Sequence, residues 1–406
     1  MVAPVRADAP LAGLVGWGSI GSAPGQFHSP DGVAVDSAGF VYVADMGNDR
    51  VQKFDAQGHF VTLWGTTGSG PGQFHGAQSV AIGPTGHVFV GDGGNQRIQE
   101  FTGDGTFVRA FGRDVNGNSL ISYPTGIAVN AVGDVYVTDL YTNVVIEFGP
   151  DGQWIRYIGG VGMDPGQLYF AQGLALDASG NLFVTDGYVG ASYPGGPGTI
   201  SRVQKFDRDG NWLAQWGRSG YGAGQFGVAG GIAFDADGNV YVSDNWLQRV
   251  SKFTPGGQVL AQWGKGGFQL GYLDFPASLA ARGDSLYVCN YNDGRVDKYV
   301  PQNGSFYFPP YYSIVLNPAL PTRRLGAISG GLDFDRSGTA DLVMLDRGDD
   351  GYYELSGNGD GTFGGGGMPM PAVGDVRALA IGDLNRDGQQ DLVIAGVASD
   401  SLWYVQ

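Results

Sequence analysis

The chain has 406 residues, enough for two domains with sizeable cores, and a formal net charge of −16. This charge disfavours nucleic acid and anionic membranes as partners, and no apolar run approaches the ~18 residues of a membrane-spanning helix. Glycine contributes 73 residues, which is typical of many tight turns between short strands. The single cysteine, Cys289, excludes an intrachain disulfide framework and is predicted to be a buried structural thiol.

The first repeating unit contains four short apolar segments. They are GVAVD at 32–36, VYVAD at 41–45, VQKF at 51–54 and FVTLW at 60–64. Glycine, aspartate and asparagine separate them, and no helical periodicity is present. This pattern predicts four antiparallel strands joined by tight turns.

The same unit recurs along the first two-thirds of the chain. Its clearest marker is a large apolar residue that ends the fourth segment and precedes a glycine: Trp17, Trp64, Phe111, Ile158, Trp216 and Trp263. These markers are 47 residues apart, with one step of 58 that indicates an 11-residue insertion between the second and third strands of unit four. Repeated four-stranded units of this length predict the blades of a β-propeller.

The chain start predicts how the propeller closes. Trp17 has no unit before it, and unit six lacks a fourth segment of its own. We therefore expect Leu11 to Trp17 to supply the outer strand of the last blade, which would join the chain ends and remove an open sheet edge.

The motifs PGQF, GVAVD, VYVAD, N-x-R-VQKF and the aromatic-glycine stop resemble the NHL repeat family of six-bladed propellers over residues 11–308. The predicted fold is therefore all-β: a six-bladed propeller closed by an N-terminal strand, followed by a small C-terminal β segment. Members of that family bind proteins or RNA, or cleave small molecules at a metal in the central channel. RNA binding is disfavoured here because the chain has only 23 basic residues against 39 acidic ones.

Acidic and basic residues also recur in register. An acid at the end of the second strand precedes an arginine at the start of the third: Asp45 and Arg50, Asp92 and Arg97, Asp186 and Arg202, Asp244 and Arg249. Asn290 and Arg295 occupy these positions in unit six, whereas unit three has Asp139 and Val144. Recurrence in nearly every unit predicts a structural pair that ties a turn to the next strand.

Zinc chemistry in the channel is disfavoured. Amidating lyases that the repeat resembles take zinc from histidines near the start of the inner strands, and the matching positions here hold other residues: Asp31, Gln78, Thr125, Gln172, Gly230 and Ala277. The four histidines lie in units one and two: His28, His59, His75 and His87. His28 and His75 share one loop position and are expected to pack or face solvent. No G-x-S-x-G nucleophile motif occurs.

Aromatic residues distinguish units three to five. Tyr141, Tyr188 and Trp246 each follow the acid of the second strand by two positions, where units one and two have glycine. Further aromatics are expected on the same face, from the insertion and from the loops before the first strands: Tyr193, Tyr123, Tyr169 and Phe170. These residues predict a surface that binds a protein partner or another copy of the chain. The alternative is that they only pack the loops together.

A second pattern follows a Pro- and Tyr-rich connector at 309–325. Oxygen donors recur at positions 1, 3, 5, 7 and 9 of two loops, with glycine at position 6. They are Asp333, Asp335, Ser337, Thr339 and Asp341, and then Asp383, Asn385, Asp387, Gln389 and Asp391. This spacing predicts two Ca²⁺ loops, in which position 7 contributes its carbonyl. The alternative is that both loops are ordinary Asp-Gly turns that bind no metal.

Residues 326–406 resemble FG-GAP or VCBS repeats, the calcium-loop blade units of integrin-type propellers. The flanking segments DLVML and DLVIAG read as strands, so these loops are not EF-hands. Two such units cannot close a propeller. We expect that the chain is a fragment, that the units pack on the six-bladed body, or that another subunit completes them by strand addition.

Two functions from different classes follow. The first is a non-catalytic, calcium-binding structural or adhesion protein, extracellular or at the cell surface, that binds partners or assembles with itself. The chain start lacks the apolar core of a signal peptide, which fits either a cytoplasmic start or a mature terminus whose signal has been removed. The second is a small-molecule hydrolase or lyase that uses a metal in the central channel.

Overall fold

The computed structural model describes residues 14–188, 200–264, 266, 272–283 and 285–300, followed by seven strands between residues 325 and 405. The chain divides into two compact units on either side of residue 311. The first unit is a six-bladed β-propeller, as the repeat predicts. Among the described residues, no helix is long and apolar enough to cross a membrane.

Each blade is a four-stranded antiparallel sheet. The first, innermost strands are Pro30–Val35, Ala77–Ile82, Pro124–Val129, Ala171–Leu176, Ala229–Phe234 and Pro276–Arg282. The second strands are Val41–Asp45, Val88–Asp92, Val135–Asp139, Leu182–Tyr188, Val240–Asp244 and Ser285–Asn290. The third strands are Arg50–Phe54, Arg97–Phe101, Val144–Phe148, Ile200–Phe206, Arg249–Phe253 and Arg295–Tyr299. The fourth strands of blades one to five are Phe60–Trp64, Phe107–Phe111, Trp154–Gly159, Trp212–Trp216 and Val259–Trp263.

The ring closes as predicted. Leu14–Trp17 pairs antiparallel with Arg295–Tyr299 and becomes the outer strand of blade six. The first strands of neighbouring blades contact one another in order, and blade six contacts blade one. Residues 11–13 of the predicted clasp lie outside the described residues, as does the core of the insertion in blade four at 189–199.

The apolar core lies between blades. Each of six buried clusters joins residues of two adjacent blades, and every residue of the second strand Val41–Asp45 is buried. The fourth strand Phe60–Trp64, at the outer edge, has no fully buried residue. Because both faces of the inner strands pack on a neighbour, no blade can bury its apolar surface alone.

The aromatic-glycine column makes these inter-blade contacts. Trp17 lies against Gly58, a turn residue of the next blade with a φ of +86°, and a Cβ atom there would lie 2.6 Å from the indole ring. Trp64 meets Gly105 in the same way. The period of the sequence is thus the period of a contact in which a large apolar side chain packs on a glycine in the following blade.

The second unit has a four-stranded and a three-stranded sheet. Its strands are Leu325–Leu332, Asp341–Asp346, Gly351–Gly357 and Phe363–Gly364, then Val376–Gly382, Asp391–Gly396 and Ser401–Val405. Leu332 pairs with Asp341, and Gly382 pairs with Asp391. Each predicted calcium loop therefore connects two paired strands, and its ninth residue begins the second of them.

Candidate functional site at the channel mouth

The six positions at the start of the inner strands form a ring of bulges. In every blade the register between the first and second strands shifts at this point. The positions are Asp31, Gln78, Thr125, Gln172, Gly230 and Ala277, and all six line the central channel. A bulge leaves its residue unpaired and re-aims the side chain, so the fold itself presents these residues at one channel end, the channel mouth.

The channel has a polar mouth and apolar walls. Its volume is about 720 Å³, and residues such as Val129, Leu176 and Phe234 line it towards the far end. Among the described lining residues none is lysine, arginine or histidine, and Asp31 is the carboxylate. Asp31 is therefore the group that gives the mouth a negative charge when it is ionised.

The side chain of Asn245 occupies the position in the ring of bulges where Gly230 has no side chain. A Cβ atom at Gly230 would collide with the Asn245 amide. Asn245 directly follows the second strand of blade five, and its Nδ2 lies 3.5 Å from Gln172 Oε1, too far for a strong hydrogen bond. The glycine thus admits an amide from a neighbouring strand into the channel mouth.

Two buried acceptors at the mouth have no protein partner. Gln78 and Asn245 are each 7% exposed, and Gln78 Oε1 and Asn245 Oδ1 accept no hydrogen bond. Burial raises the pKa of Asp31 to about 7, and a hydrogen bond from the Gln78 side chain opposes this rise. Burial and the charge of Asp31 also raise the pKa of Tyr123.

The predicted aromatic face is present and only partly packed. Tyr141 is 63% exposed and Trp246 is 56% exposed. Tyr123 is half-buried and stacks on Tyr141 with ring centroids 5.3 Å apart, and Tyr169 is half-buried beside Phe170. The packing alternative therefore applies to Tyr123 and Tyr169, whereas Tyr141 and Trp246 face solvent.

The other two predicted aromatics belong to the fourth blade. The backbone of Tyr188 ends the second strand there and pairs with Ile200. Tyr193 lies outside the described residues. Their contribution to the face stays a prediction.

Sequence reasoning missed the aromatics of blade six. Phe275 and Tyr291 line the channel mouth, with ring centroids 5.5 Å apart. Phe275 is 40% exposed and has a φ of +53°, a left-handed conformation that is rare for a bulky side chain. Tyr291 and Asn245 stand one residue after the second strand, whereas the aromatic column was sought two residues after it. Aromatics at the adjacent position would have included Tyr291, and Phe275 shares its loop position with Tyr123 and Phe170.

The acid–arginine pairs are structural, as predicted. Asp45 accepts hydrogen bonds from Arg50 Nε at 2.7 Å and from Gln52 Nε2 at 3.0 Å. The arginine also donates to three carbonyl oxygens of the preceding loop, at Ser22, Ala23 and Gln26. This set of contacts, the loop staple, fixes the loop that leads into the first strand.

Metal sites remain predictions. No group of three or more histidine, cysteine, aspartate or glutamate residues gathers within the described part of the chain. Residues 333–340 and 383–390, which hold the predicted Ca²⁺ ligands except Asp341 and Asp391, lie outside that part. His28 and His75 are exposed on their loops, and Cys289 is buried.

The protein is thus a six-bladed β-propeller with a polar, bulge-lined channel mouth. Residues 27–54 and 74–101 match the NHL repeat, and residues 153–185 match a beta-propeller repeat. Residues 333–394 match an FG-GAP-like repeat. The chain therefore carries NHL repeats in its propeller and an FG-GAP-like repeat after it, as the motifs predict.

Solved structures support the fold at low sequence identity. A protein of unknown function from Bacteroides thetaiotaomicron is 15% identical, with a TM-score of 0.52 over 71% of this chain and 76% of its own. A gluconolactonase from Xanthomonas campestris is 16% identical, with a TM-score of 0.51 over 70% and 87%. A streptogramin B lyase is 12% identical, with a TM-score of 0.48 over 74% and 89%. The sequence matches none of the curated proteins. At these identities the first two similarities show the fold alone, and the lyase carries no argument.

Proposed function

We propose that this protein is a non-catalytic binding protein of the extracellular space or cell surface. Its propeller binds a protein partner or a second copy through the loops at the channel mouth. Its C-terminal unit is stabilised by Ca²⁺ and contributes open sheet edges to assembly.

The observation that carries this proposal is the exposure of Tyr141 and Trp246. Both stand on the face that surrounds the channel mouth, and more than half of each side chain is accessible. Large aromatic residues bring apolar area and few rotatable bonds to an interface, and they are enriched among the residues that dominate binding energy. Phe275 extends the same face to blade six.

The test removes the aromatic face. A triple variant with Tyr141→Ala, Tyr188→Ala and Trp246→Ala is expected to lose association at least about ten-fold, since each central aromatic contributes on the order of 1–2 kcal/mol. Self-association is measured by sedimentation velocity at micromolar concentration. A partner captured on the wild-type chain is retested as purified protein.

The matched control removes aromatics from outer strands. Phe60→Ala, Trp154→Ala and Trp212→Ala delete three side chains that are also partly exposed, on the fourth strands of three blades. Association should stay at the wild-type level in this variant. Equal association of both triple variants and the wild type would contradict the proposal.

The calcium part of the proposal rests on the two loop motifs and on the strand pairing that closes them. Asp335→Ala and Asp387→Ala, one in each loop, should each lower the Ca²⁺ content of the full chain by about one ion, because both remove a charged oxygen ligand. Equilibrium dialysis followed by metal analysis gives the content. The control Asp237→Asn removes one exposed carboxylate from the propeller and should leave it unchanged.

The assembly part of the proposal is tested with a chelator. If strand edges of the C-terminal unit join copies, removal of Ca²⁺ should lower the sedimentation coefficient of the wild-type chain towards that of a monomer. A chain that stays monomeric with and without chelator would overturn this part. The alternative of a metal-dependent hydrolase or lyase would instead require metal bound by residues of the propeller.

A further inference from the structure

The closing blade buries one carboxylate more than blade one at three matching positions. In blade one these positions hold one carboxylate and two amides: Asp45, Asn48 and Gln52. Blade two repeats this set. In blade six the positions hold one amide and two carboxylates: Asn290, Asp293 and Asp297. Each set contacts one arginine, so the charges balance in blade one and leave one excess negative charge in blade six.

The two carboxylates of blade six share a single cation. Arg295 donates from Nε to Asp297 Oδ1 at 2.8 Å, and its Nη1 lies 2.9 Å from Asp293 Oδ2. Asp297 is fully buried and also accepts from Asn290 Nδ2 at 3.0 Å. Asp293 is 9% exposed, and neither of its carboxylate oxygens accepts a hydrogen bond. A buried carboxylate without donors is destabilising, and one arginine cannot balance two of them.

The surroundings add negative charge and no second cation. Among the described residues, only Arg295 forms an ion pair with Asp293 or Asp297. The loop before the first strand contributes Asp274, which is 8% exposed and accepts hydrogen bonds from two side-chain amides. The closing strand Leu14–Trp17 has no charged side chain.

The other titratable groups beside the two carboxylates do not balance them. Burial raises the pKa of Cys289 and that of Tyr299 well above their ordinary values, so both side chains are uncharged near neutral pH. Lys298 donates to the carbonyl oxygen of Ala56 in blade one, at 2.8 Å. The excess charge is therefore removed most readily by a proton.

The carboxylates respond to their environment in the same direction. Burial raises the pKa of Asp297 to about 6, although hydrogen bonds from Arg295 and Asn290 oppose the rise. Burial also raises the pKa of Asp293, with a further contribution from the charge of Asp274 and against the charge of Arg295. A proton is thus taken up in the mildly acidic range, where an exposed aspartate is ionised.

The hairpin that carries the two carboxylates also holds the closing strand. Gly16 pairs with Asp297 in the sheet register. Gly294, between Asp293 and Arg295, packs on the chain that continues from the closing strand, and a Cβ atom there would lie 2.9 Å from the Ile20 nitrogen. Repulsion between the carboxylates therefore acts on the contacts that close the ring.

We propose that blade six is a pH-sensitive latch, which holds the closing strand Leu14–Trp17 more firmly at mildly acidic than at neutral pH. Proton uptake by Asp293 or Asp297 removes the excess charge and restores the balance that blade one has throughout this range. Loss of the proton restores the repulsion and favours opening of the strand. The latch requires neither the aromatic face nor the calcium loops.

The sign follows from the two states of the blade. The folded pKa of Asp297, about 6, lies above its unfolded value, so the stability from the protonated form is complete below about pH 4 and is lost as the pH rises through about 6. The equilibrium constant for opening should therefore increase about ten-fold between about pH 5 and about pH 7.5.

Hydrogen exchange of the full-length chain at both pH values, with Ca²⁺ and ionic strength held constant, tests the latch. Protection factors, which correct for the intrinsic effect of pH on exchange, should fall about ten-fold in Leu14–Trp17 and Arg295–Tyr299 at the higher pH. The matched control is the pair of strands Arg50–Phe54 and Phe60–Trp64 in the same molecule, where the change should stay below about two-fold. Equal changes in both blades, or none in blade six, overturn the proposal.

Variants assign the effect to the carboxylates. Asp293→Asn and Asp297→Gln each restore the charge balance of blade one, so either should remove the ten-fold change in protection. Asp237→Asn removes an exposed carboxylate from blade five and should keep the wild-type change. Retention of the change in both blade-six variants contradicts the assignment. If millimolar Ca²⁺ at about pH 7.5 restores protection as fully as acid does, the cluster binds a metal ion in place of a proton, and the proposal is wrong.

Discussion

Blades one and two differ from blades three and five in how the loop before each first strand is held. Blade one has the full loop staple, in which the Asp45 carboxylate also accepts from Asn48, and blade two repeats it at Asp92. In blade three Val144 replaces the arginine, and the Asp139 carboxylate accepts hydrogen bonds from backbone amides instead. In blade five the Arg249 Nε lies 3.7 Å from Asp244 and has no hydrogen-bond partner.

The loop position that carries Tyr141 and Trp246 also differs between these blades. A Cβ atom at Gly47 would lie 2.7 Å from the His28 carbonyl oxygen, and one at Gly94 would lie 2.8 Å from the His75 carbonyl oxygen. Blades one and two therefore exclude a side chain at the position that Tyr141 and Trp246 fill. In blades three and five that position is open to solvent, so a shared strand scaffold carries exposed aromatic residues in some blades only.

The largest expected effect comes from removing the arginine of blade one, and it sharpens the contrast with blade five. Arg50→Ala leaves the buried Asp45 carboxylate without its cation and frees three loop carbonyls, so it should lower the free energy of unfolding by about 3–5 kcal/mol. Arg249→Ala should cost less, about 1–2 kcal/mol: it frees the three matching carbonyls, but its Nε makes no hydrogen bond to Asp244, whose carboxylate accepts from three backbone amides instead. Urea unfolding of both variants gives the values. Equal losses would remove the distinction between the two groups of blades.

A second prediction concerns blade six, where amide and carboxylate have exchanged places. Asn290 stands where other blades have aspartate, and it donates to Asp297, which stands where blade one has Gln52. Asn290→Asp should cost about 2–3 kcal/mol, because it sets two buried carboxylates side by side and removes a donor. The double variant with Asp297→Gln should recover most of that loss, since it recreates the order of blade one. Strictly additive losses in urea unfolding would show that the two sites do not interact.

The smallest effect depends on pH and concerns the channel mouth. The folded pKa of Asp31, about 7, lies above its unfolded value. The stability that the protonated form contributes is thus complete below about pH 4 and is lost as the pH rises through about 7. The Asp31→Asn variant has no carboxyl to ionise here and keeps its stability as the pH rises. Its free energy of unfolding relative to wild type should therefore rise by about 1–2 kcal/mol between about pH 5 and about pH 8.5. Thermal unfolding across this range measures the difference, and parallel curves for both proteins would exclude the raised pKa.

Much of the fold could be predicted because one contact repeats with the sequence. Trp17 and Trp64 mark the blade period, and the unpaired first marker indicates the closing strand that the structure confirms. Asp45 and Arg50 could be read as a structural pair because a catalytic set does not recur in nearly every blade. The exposure of Tyr141 and the partial burial of Tyr123 could not be predicted, since both are aromatic loop residues and only their neighbours distinguish them.

The sequence by itself determined the number of blades, their strand order and the way the ring closes, because these depend on periodic spacing and turn residues that are local in the chain. The tertiary structure alone decided what meets at the channel mouth. Asn245 takes the place of Gly230, and Phe275 and Tyr291 complete the aromatic rim, because bulges and ring closure bring distant loops to one opening. Such juxtapositions have no fixed spacing along the chain, so no sequence period could reveal them.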